Sequence, residues 1–235
     1  MMSENAYKRT AKYDDYSMDI SKVYYHKIIR DVLGYCNGGP LLDIGCYDGS
    51  LGEVFLKKGY EVYGIEAHHE ASKKALEKGI KVIKKDIEEG LSWDDDTFNC
   101  VIAAEIIEHL YDTDRFIMEI KRVLKNNGVF VMSFPNTACL TNRLRLLLNL
   151  YPRYCEYQAG NSGGHIRVYT FGTAVSQIKE HGFDILRVSG ANFPLPMHSR
   201  LIPNFIKKSA VFLGDYFPAL AGQIIISARN KKIVE

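Results

Sequence analysis

The sequence predicts an α/β fold built on a parallel, doubly wound sheet. Two observations carry this. Between Leu41 and Phe134, short apolar runs alternate with stretches of helical period, the pattern of strand–helix–strand units. The first apolar run also ends in an acidic residue and a glycine turn, Leu41-Leu42-Asp43-Ile44-Gly45-Cys46-Tyr47-Asp48-Gly49-Ser50. A turn at the carboxyl end of a first strand is where open α/β sheets bind nucleotide-like cofactors.

The elements follow in order. Residues 19–35 carry Ile20, Val23, Tyr24, Lys27, Ile28 and Val32 at helical spacing, and Asn37-Gly38-Gly39-Pro40 ends the run. Residues 41–45 form a short strand. Ser50 to Lys58 form a helix with Leu51, Val54 and Phe55 inward, stopped by Gly59. Strands at 61–66, 80–84 and 98–104 are separated by a helix at 69–78 and a loop. The stretch 113–125 aligns Phe116, Ile120, Val123 and Leu124 on one face and ends near Gly128. A fifth strand runs from Gly128 to Phe134. Crossovers between such parallel strands are right-handed.

After Pro135 the rhythm changes. Residues 137–150 read as an apolar helix, and 151–170 as an irregular segment rich in glycine and aromatic residues. A helix at 171–181 and strands at 183–189 and 223–228 follow. Residues 191–222 form an insertion with a helix near 200–213. The division is a single domain over 1–235, with an N-terminal helical lid at 1–39 and cap insertions at 137–170 and 191–220. Tyr7, Tyr13, Tyr16, Tyr24 and Tyr25 crowd the lid; a helix packed on the sheet edge would give the same pattern.

Composition narrows the class. The 235 residues are 46% hydrophobic, enough for one α/β domain with a full core. Thirty Lys and Arg against 28 Asp and Glu give a net charge of +2, so there is no general nucleic-acid signature. Five cysteines, without a CxxC pair, support neither a disulfide framework nor a zinc site. They fit reduced thiols in a cytoplasmic protein. The polar start of the chain is unlike a signal peptide. No uncharged apolar stretch reaches the roughly 20 residues of a membrane helix.

The acidic residues at strand ends define the candidate cofactor site. Glu66 ends the second strand and offers two acceptor oxygens to a pair of ribose hydroxyls. Asp86 follows the third strand and suits an adenine amino group. Glu105 and His109 follow the fourth. A nicotinamide dinucleotide requires glycine where this chain has Tyr47 and Ser50, and a bulky Tyr47 would crowd a pyrophosphate. S-adenosylmethionine has no phosphate and needs only close approach of the backbone.

Five pieces, in order, then define a resemblance. They are Asp43-Ile-Gly-Cys-Tyr-Asp-Gly49, Val62-Tyr-Gly-Ile-Glu66, Lys85-Asp86-Ile87, Ala104-Glu-Ile-Ile-Glu-His-Leu110, and the helix 116–124 followed by Asn127 to Asn136. The stretch from Leu41 to Asn136 resembles class I S-adenosylmethionine-dependent methyltransferases, in the branch that acts on small molecules, glycans or lipids. The resemblance implies a mostly parallel seven-stranded sheet of order 3-2-1-4-5-7-6, with an antiparallel last strand. It implies S-adenosyl-L-methionine as cofactor. Asp43, Gly45 and Gly49, with Cys46 and Tyr47 between them, would hold the methionine end. Glu66 would bind the ribose, Ala67 would lie near the adenine, Asp86 would bind its N6, and Ile87 would pack on the ring. Glu105 would lie beside the sulfonium. Tyr47 departs from the family, where many members have glycine.

Methyl transfer to a hydroxyl needs a base, and histidine titrates in the right range. His165 lies in His165-Ile-Arg-Val-Tyr-Thr170, which resembles a His-x-Arg-x-x-Thr segment of this branch; a loop-holding role for His165 and Arg167 is the alternative. His109 follows the fourth strand. It shapes the site, polarises the substrate or holds the turn. No metal site is expected, since no ligand pair has the H-E-x-x-H spacing.

The acceptor is expected to be a small molecule or a lipid or glycan intermediate methylated on oxygen, with no nucleic-acid partner. Arg143, Arg145 and Arg153 alternate with leucines, and Arg200, Lys207 and Lys208 lie among apolar residues. That pattern fits a peripheral membrane contact, a pocket cover or a homodimer contact. A rival from another class is a non-catalytic cofactor-binding module that supports a partner. Base methylation is disfavoured, because Ala104-Glu105-Ile106-Ile107 replaces an Asn/Asp-Pro-Pro-aromatic motif.

Overall fold

The computed structural model describes residues 18–153, 155, 164–193 and 211–232. Helix α1 (Val23–Tyr35) leads into β1 (Pro40–Ile44), α2 (Ser50–Leu56), β2 (Glu61–Ile65), α3 (His69–Glu77) and β3 (Lys81–Ile83). Then come β4 (Phe98–Ala104), α4 (Thr113–Val123), β5 (Leu124–Pro135), α5 (Leu140–Leu147), α6 (Phe171–Glu180), β6 (Phe183–Ala191) and β7 (Gln223–Asn230). The strands form one sheet in the order β3-β2-β1-β4-β5-β7-β6. Strands β1 to β5 pair in parallel, and β7 runs antiparallel to both β5 and β6. This is the expected order.

The strands read as nearly continuous apolar runs because both faces are covered. Alternate residues go to opposite layers. Leu42, Val101, Ala103, Phe130, Met132, Ile224 and Ile226 pack toward α4 and α6. Leu41, Cys100, Ile102, Val129, Val131 and Ile225 pack toward α1, α2 and α3.

Several boundaries differ from the sequence pattern, three of them with a visible cause, and β7 likewise extends past 228 to Asn230. Helix α1 starts at Val23, because 18–22 is a turn tied by Asp19 to the amide and hydroxyl of Ser21. Strand β5 begins at Leu124, not Gly128: Leu124 already pairs with Phe98, and the register then shifts to Cys100–Val129. The intervening turn has Asn127 at φ 63°. It is held by Asn230, whose Nδ2 donates to the carbonyls of Lys121, Leu124 and Lys125. Strand β6 runs to Ala191, pairing with β7 on both sides of a register shift between Ile185 and Arg187.

Of the expected insertion helix, 200–210 lie outside the described residues; 211–216 are helical. Tyr7, Tyr13 and Tyr16 of the expected lid, and Arg200, Lys207 and Lys208, also lie outside them.

Helix α1 is fixed by buried charge. The Lys27 ammonium donates to the carbonyls of Gly190 (2.7 Å) and Val211 (3.0 Å) and to Asp215 (2.9 Å). Four residues on, Asp31 accepts from Ser227 at 2.8 Å. Burial lowers the Lys27 pKa against the pull of Asp215. Removing one member of a buried pair leaves the other uncompensated. Lys27→Ala should therefore destabilise the fold by about 3 kcal/mol in urea unfolding; a change within about 0.5 kcal/mol, as at an ordinary surface site, would show that this anchor is not structural.

Candidate active site

Strands β1 and β2 end level, and β4 runs one residue further. Ile44 pairs with Ile65 on one side and Ala103 on the other, so Gly45, Glu66 and Glu105 emerge at one edge. Beyond β1 the order of strands reverses, which opens the crevice where α/β sheets bind ligands.

The turn after β1 is closed by its own amides. The N–H groups of Gly45 and Cys46 donate to the Ile65 carbonyl at 2.9 and 3.3 Å. Tyr47 N–H donates to Glu66 Oε2 at 2.9 Å, and Gly49 N–H to the Cys46 carbonyl. Gly45 (φ 67°) and Gly49 (φ 74°) both need the left-handed region. A Cβ on Gly49 would lie 2.9 Å from Ala75 Cα, so this glycine serves the packing of α2 on α3. A Cβ on Gly45 would lie 2.3 Å from Ile106 Cδ1, which reaches over the turn. Cys46 turns its thiol into the core, where Gly64 makes room for it; only its backbone faces the turn. Tyr47 is not a glycine substitute by accident of space: it takes φ 47° itself.

Carboxylates crowd this edge. Asp43 is buried, and its Oδ2 has no hydrogen-bond partner among the described residues. Burial, then the charges of Glu66 and Asp48, push its pKa up to about 8. Burial also raises Glu66, against the amides of His68 and Tyr47 that its two oxygens accept. Ala67 lies between these contacts. Glu105 stands at φ 58°. Its oxygens accept from Ser133 Oγ (2.7 Å) and Gln223 Nε2 (2.9 Å), and burial raises its pKa. Ser133 and Gln223 carried no signal in the sequence, since they reach Glu105 only through β5 and β7. Tyr25 on α1 senses both Glu105 and Asp43, and burial raises its hydroxyl pKa.

On the adenine side, Asp86 caps the short turn Ile87–Glu89 by accepting from Glu88 N–H at 3.0 Å. Ile87 is partly buried against the core. His68 caps α3 through Ala71 N–H, and His69 lies exposed near Lys84.

The two candidate catalytic histidines come together. The rings of His109 and His165 meet edge-on with centroids 4.9 Å apart. Both face Glu108, whose Oε1 lies 4.0 Å from His109 Nε2 and 3.9 Å from His165 Nε2. Burial raises Glu108 well above the usual carboxylate range and lowers His109. Arg167 spends its guanidinium on the carbonyls of Leu110 and Tyr111, which is the loop-holding role.

The family model described as a methyltransferase domain matches residues 42–132. Similar chains include a ubiquinone biosynthesis O-methyltransferase of Pelagibacter ubique, 34% identical over 100 residues, covering 41% of this chain and 42% of that one. The mitochondrial enzyme of that name from Bos taurus is 29% identical over 136 residues, covering 52% and 37%. The matches thus span well under two thirds of these relatives. Among solved structures, an S-adenosylmethionine-dependent methyltransferase of Thermotoga maritima superposes with a TM-score of 0.63 at 16% identity, covering 97% of this chain and 96% of that one. One from Archaeoglobus fulgidus gives 0.61 at 18% identity, covering 87% and 91%. At those identities the likeness is one of fold. Residues 42–132 thus match a methyltransferase domain, on the fold shared by these S-adenosylmethionine-dependent methyltransferases of known structure.

The residues present fit that cofactor. A buried carboxylate oxygen without a partner awaits a positive or hydrogen-bonding group, and Glu66 offers a carboxylate at the neighbouring strand end.

Asp43 also makes a prediction about stability. Its folded pKa of about 8 exceeds the ordinary value of about 3.9. The stability conferred by its bound proton is complete below the lower value and is lost as pH rises through the upper one. Asp43→Asn should therefore raise the Tm of the cofactor-free protein, with a larger gain at pH 8 than at pH 5. A pH-independent difference in thermal unfolding would contradict this.

Proposed function

We propose that this protein transfers a methyl group from S-adenosylmethionine to an oxygen of a small molecule or of a lipid-like or glycan intermediate. The observation that carries the reading is the unpartnered, buried Asp43 oxygen next to the Gly45 turn and the Glu66 strand end. The names of the relatives, ubiquinone biosynthesis O-methyltransferases, support oxygen as the acceptor atom.

When bound, the cofactor supplies a sulfonium methyl for in-line displacement, so alignment accounts for much of the rate. The chain's residues divide the work. Asp43 would receive the ammonium of the methionine end, and Gly45 would let that end approach the backbone. Cys46, Tyr47 and Gly49 would shape the turn beneath it. Glu66 would accept the ribose hydroxyls, shifting from the amides it now holds. Ala67, Asp86 and Ile87 would flank the adenine. Glu105, braced by Ser133 and Gln223, would border the sulfonium. Tyr25 on α1 would close the crevice as part of the lid. His165 or His109, in the pair beside the buried Glu108, would take the acceptor's proton.

Titration calorimetry should detect S-adenosylmethionine binding to the wild type. Glu66→Ala should weaken it about tenfold or more, the loss of one or two hydrogen bonds to a charged acceptor. Absence of binding to the wild type would sink the methyl-transfer reading. Unchanged affinity in the variant would remove Glu66 from the ribose site. Binding without S-adenosylhomocysteine production across hydroxylated acceptors would favour the non-catalytic module.

A cytoplasmic protein in peripheral contact with a membrane is the reading that the cap supports. Among the described residues, no helix is long and apolar enough to cross a membrane. Helix α5 and the turn after it expose Leu144, Leu146, Leu147, Leu148, Leu150 and Tyr151, with Leu147 83% exposed. Arg143 and Arg145 lie on the same helix, each with Nε on a local carbonyl. Apolar side chains among basic ones suit an anionic lipid surface. The protein should sediment with anionic vesicles, and Leu147→Glu with Leu148→Glu should release it. Failure to sediment would discard the membrane contact, and a dimer in light scattering that the same pair of substitutions dissolves would assign the face to a second copy.

A further inference from the structure

The acceptor side of the site carries positive charge that the protein leaves uncompensated. Arg153 and Arg167 line one pocket with Glu108, Thr137 and His165. The Arg167 guanidinium meets only neutral carbonyls, those of Leu110 and Tyr111. The Arg153 guanidinium has neither hydrogen bond nor ion pair among the described residues. Elsewhere arginines find acids: Arg30 pairs with Asp31 at 2.7 Å and Arg122 with Glu119 at 2.8 Å. The acid within the pocket, Glu108, is 2% exposed, and burial holds it well above the usual carboxylate range. It offsets little of the arginine charge at neutral pH.

The position of Arg153 is nevertheless fixed. Asn142 on α5 is buried. Its Oδ1 accepts the Arg153 N–H at 2.9 Å, and its Nδ2 donates to the Arg153 carbonyl at 3.3 Å and to the Thr137 carbonyl at 2.9 Å. One buried amide thus ties both backbone groups of Arg153 to α5 and to the pocket wall at Thr137. The backbone of Arg167 is held from the other side. There the N–H groups of Ile166 and Arg167 donate to the Glu108 carbonyl at 2.9 and 3.0 Å. Ordering a segment in advance lowers the entropy lost when its side chain binds a ligand.

We infer that this pocket takes an acceptor bearing an oxyanion, a carboxylate or a phosphate, and that Arg153 is the residue that holds it. A guanidinium presents parallel N–H donors that match either group as a bidentate pair. Arg167 adds its field while keeping its loop contacts. A cleft lined by one sign of charge concentrates ligands of the other sign. Naming the ligand as the acceptor rests on the methyl-transfer reading above. With the oxyanion on Arg153, the hydroxyl of the same molecule faces His165, which lines the same pocket. The anion contact itself does not depend on that reading.

The test uses three probes of similar shape: meta-hydroxybenzoate, meta-hydroxyphenyl phosphate and the neutral meta-hydroxybenzamide. Each is titrated into the full-length protein by calorimetry at low ionic strength. At least one anion should bind the wild type roughly tenfold or more tighter than the amide, the scale of a hydrogen bond to a charged group. Tighter binding of either anion supports the site and names its group. Arg153→Met should abolish the preference, and added salt should shrink it. Native circular dichroism and unchanged S-adenosylmethionine affinity in the variant show that the fold and the cofactor site persist. No anion preference in the wild type, or the same preference in the folded variant, overturns the site. A retained preference with lost sedimentation on anionic vesicles also overturns it, and moves Arg153 to a lipid headgroup. Failure of the wild type to bind S-adenosylmethionine overturns the methyl-transfer reading and leaves the anion site standing.

Discussion

The shared edge at which β1, β2 and β4 end, within one residue of each other, is the constraint on which this molecule rests. Parallel register brings Ile44, Ile65 and Ala103 into line, and the residues after them must share one narrow edge. The turn amides find their partners within the turn. Ile65 supplies the carbonyl for Gly45 and Cys46, and Glu66 supplies a carboxylate for Tyr47. Buried backbone donors must be satisfied, so Glu66 shapes the glycine turn before any ligand arrives. A residue proposed to bind ribose is also a support of the turn beside it.

The same constraint concentrates negative charge. Asp43, Glu66, Glu105 and Glu108 are all raised in pKa with burial as the leading cause. The structure treats them differently. Glu105 is fully engaged by Ser133 and Gln223, whereas Asp43 keeps a bare oxygen and Glu108 keeps two. Unpaired buried carboxylates are costly; one stands at the cofactor edge and the other beside the histidines. At the Asp43 edge, stability is given up where binding is expected to restore it.

Much of the fold was legible because its signals are local. Seven strands, their order and the antiparallel end follow from apolar runs, glycine stops and a family resemblance concentrated in 41–136. The misplacements have physical causes. Gly128 looks like the start of β5, but Leu124 is drawn into the sheet by Phe98, and Asn230 from the far end of the chain secures the turn. The site was legible only in part. Asp43, Gly45, Glu66 and Glu105 stand at the expected edge, whereas Gly49 serves helix packing and Cys46 points into the core. Ser133 and Gln223 act through neighbouring strands, which no spacing could announce.

The sequence by itself determined the layered architecture, the glycine turn and the acidic strand ends, because periodicity, positive φ and strand termini are properties of short segments. Only the tertiary structure decided the partners of those acids. It also decided that His109 and His165, which look like rivals along the chain, converge on one buried carboxylate. Their meeting depends on two backbone hydrogen bonds from the 164–169 segment to Glu108, and such contacts exist only once the sheet has formed.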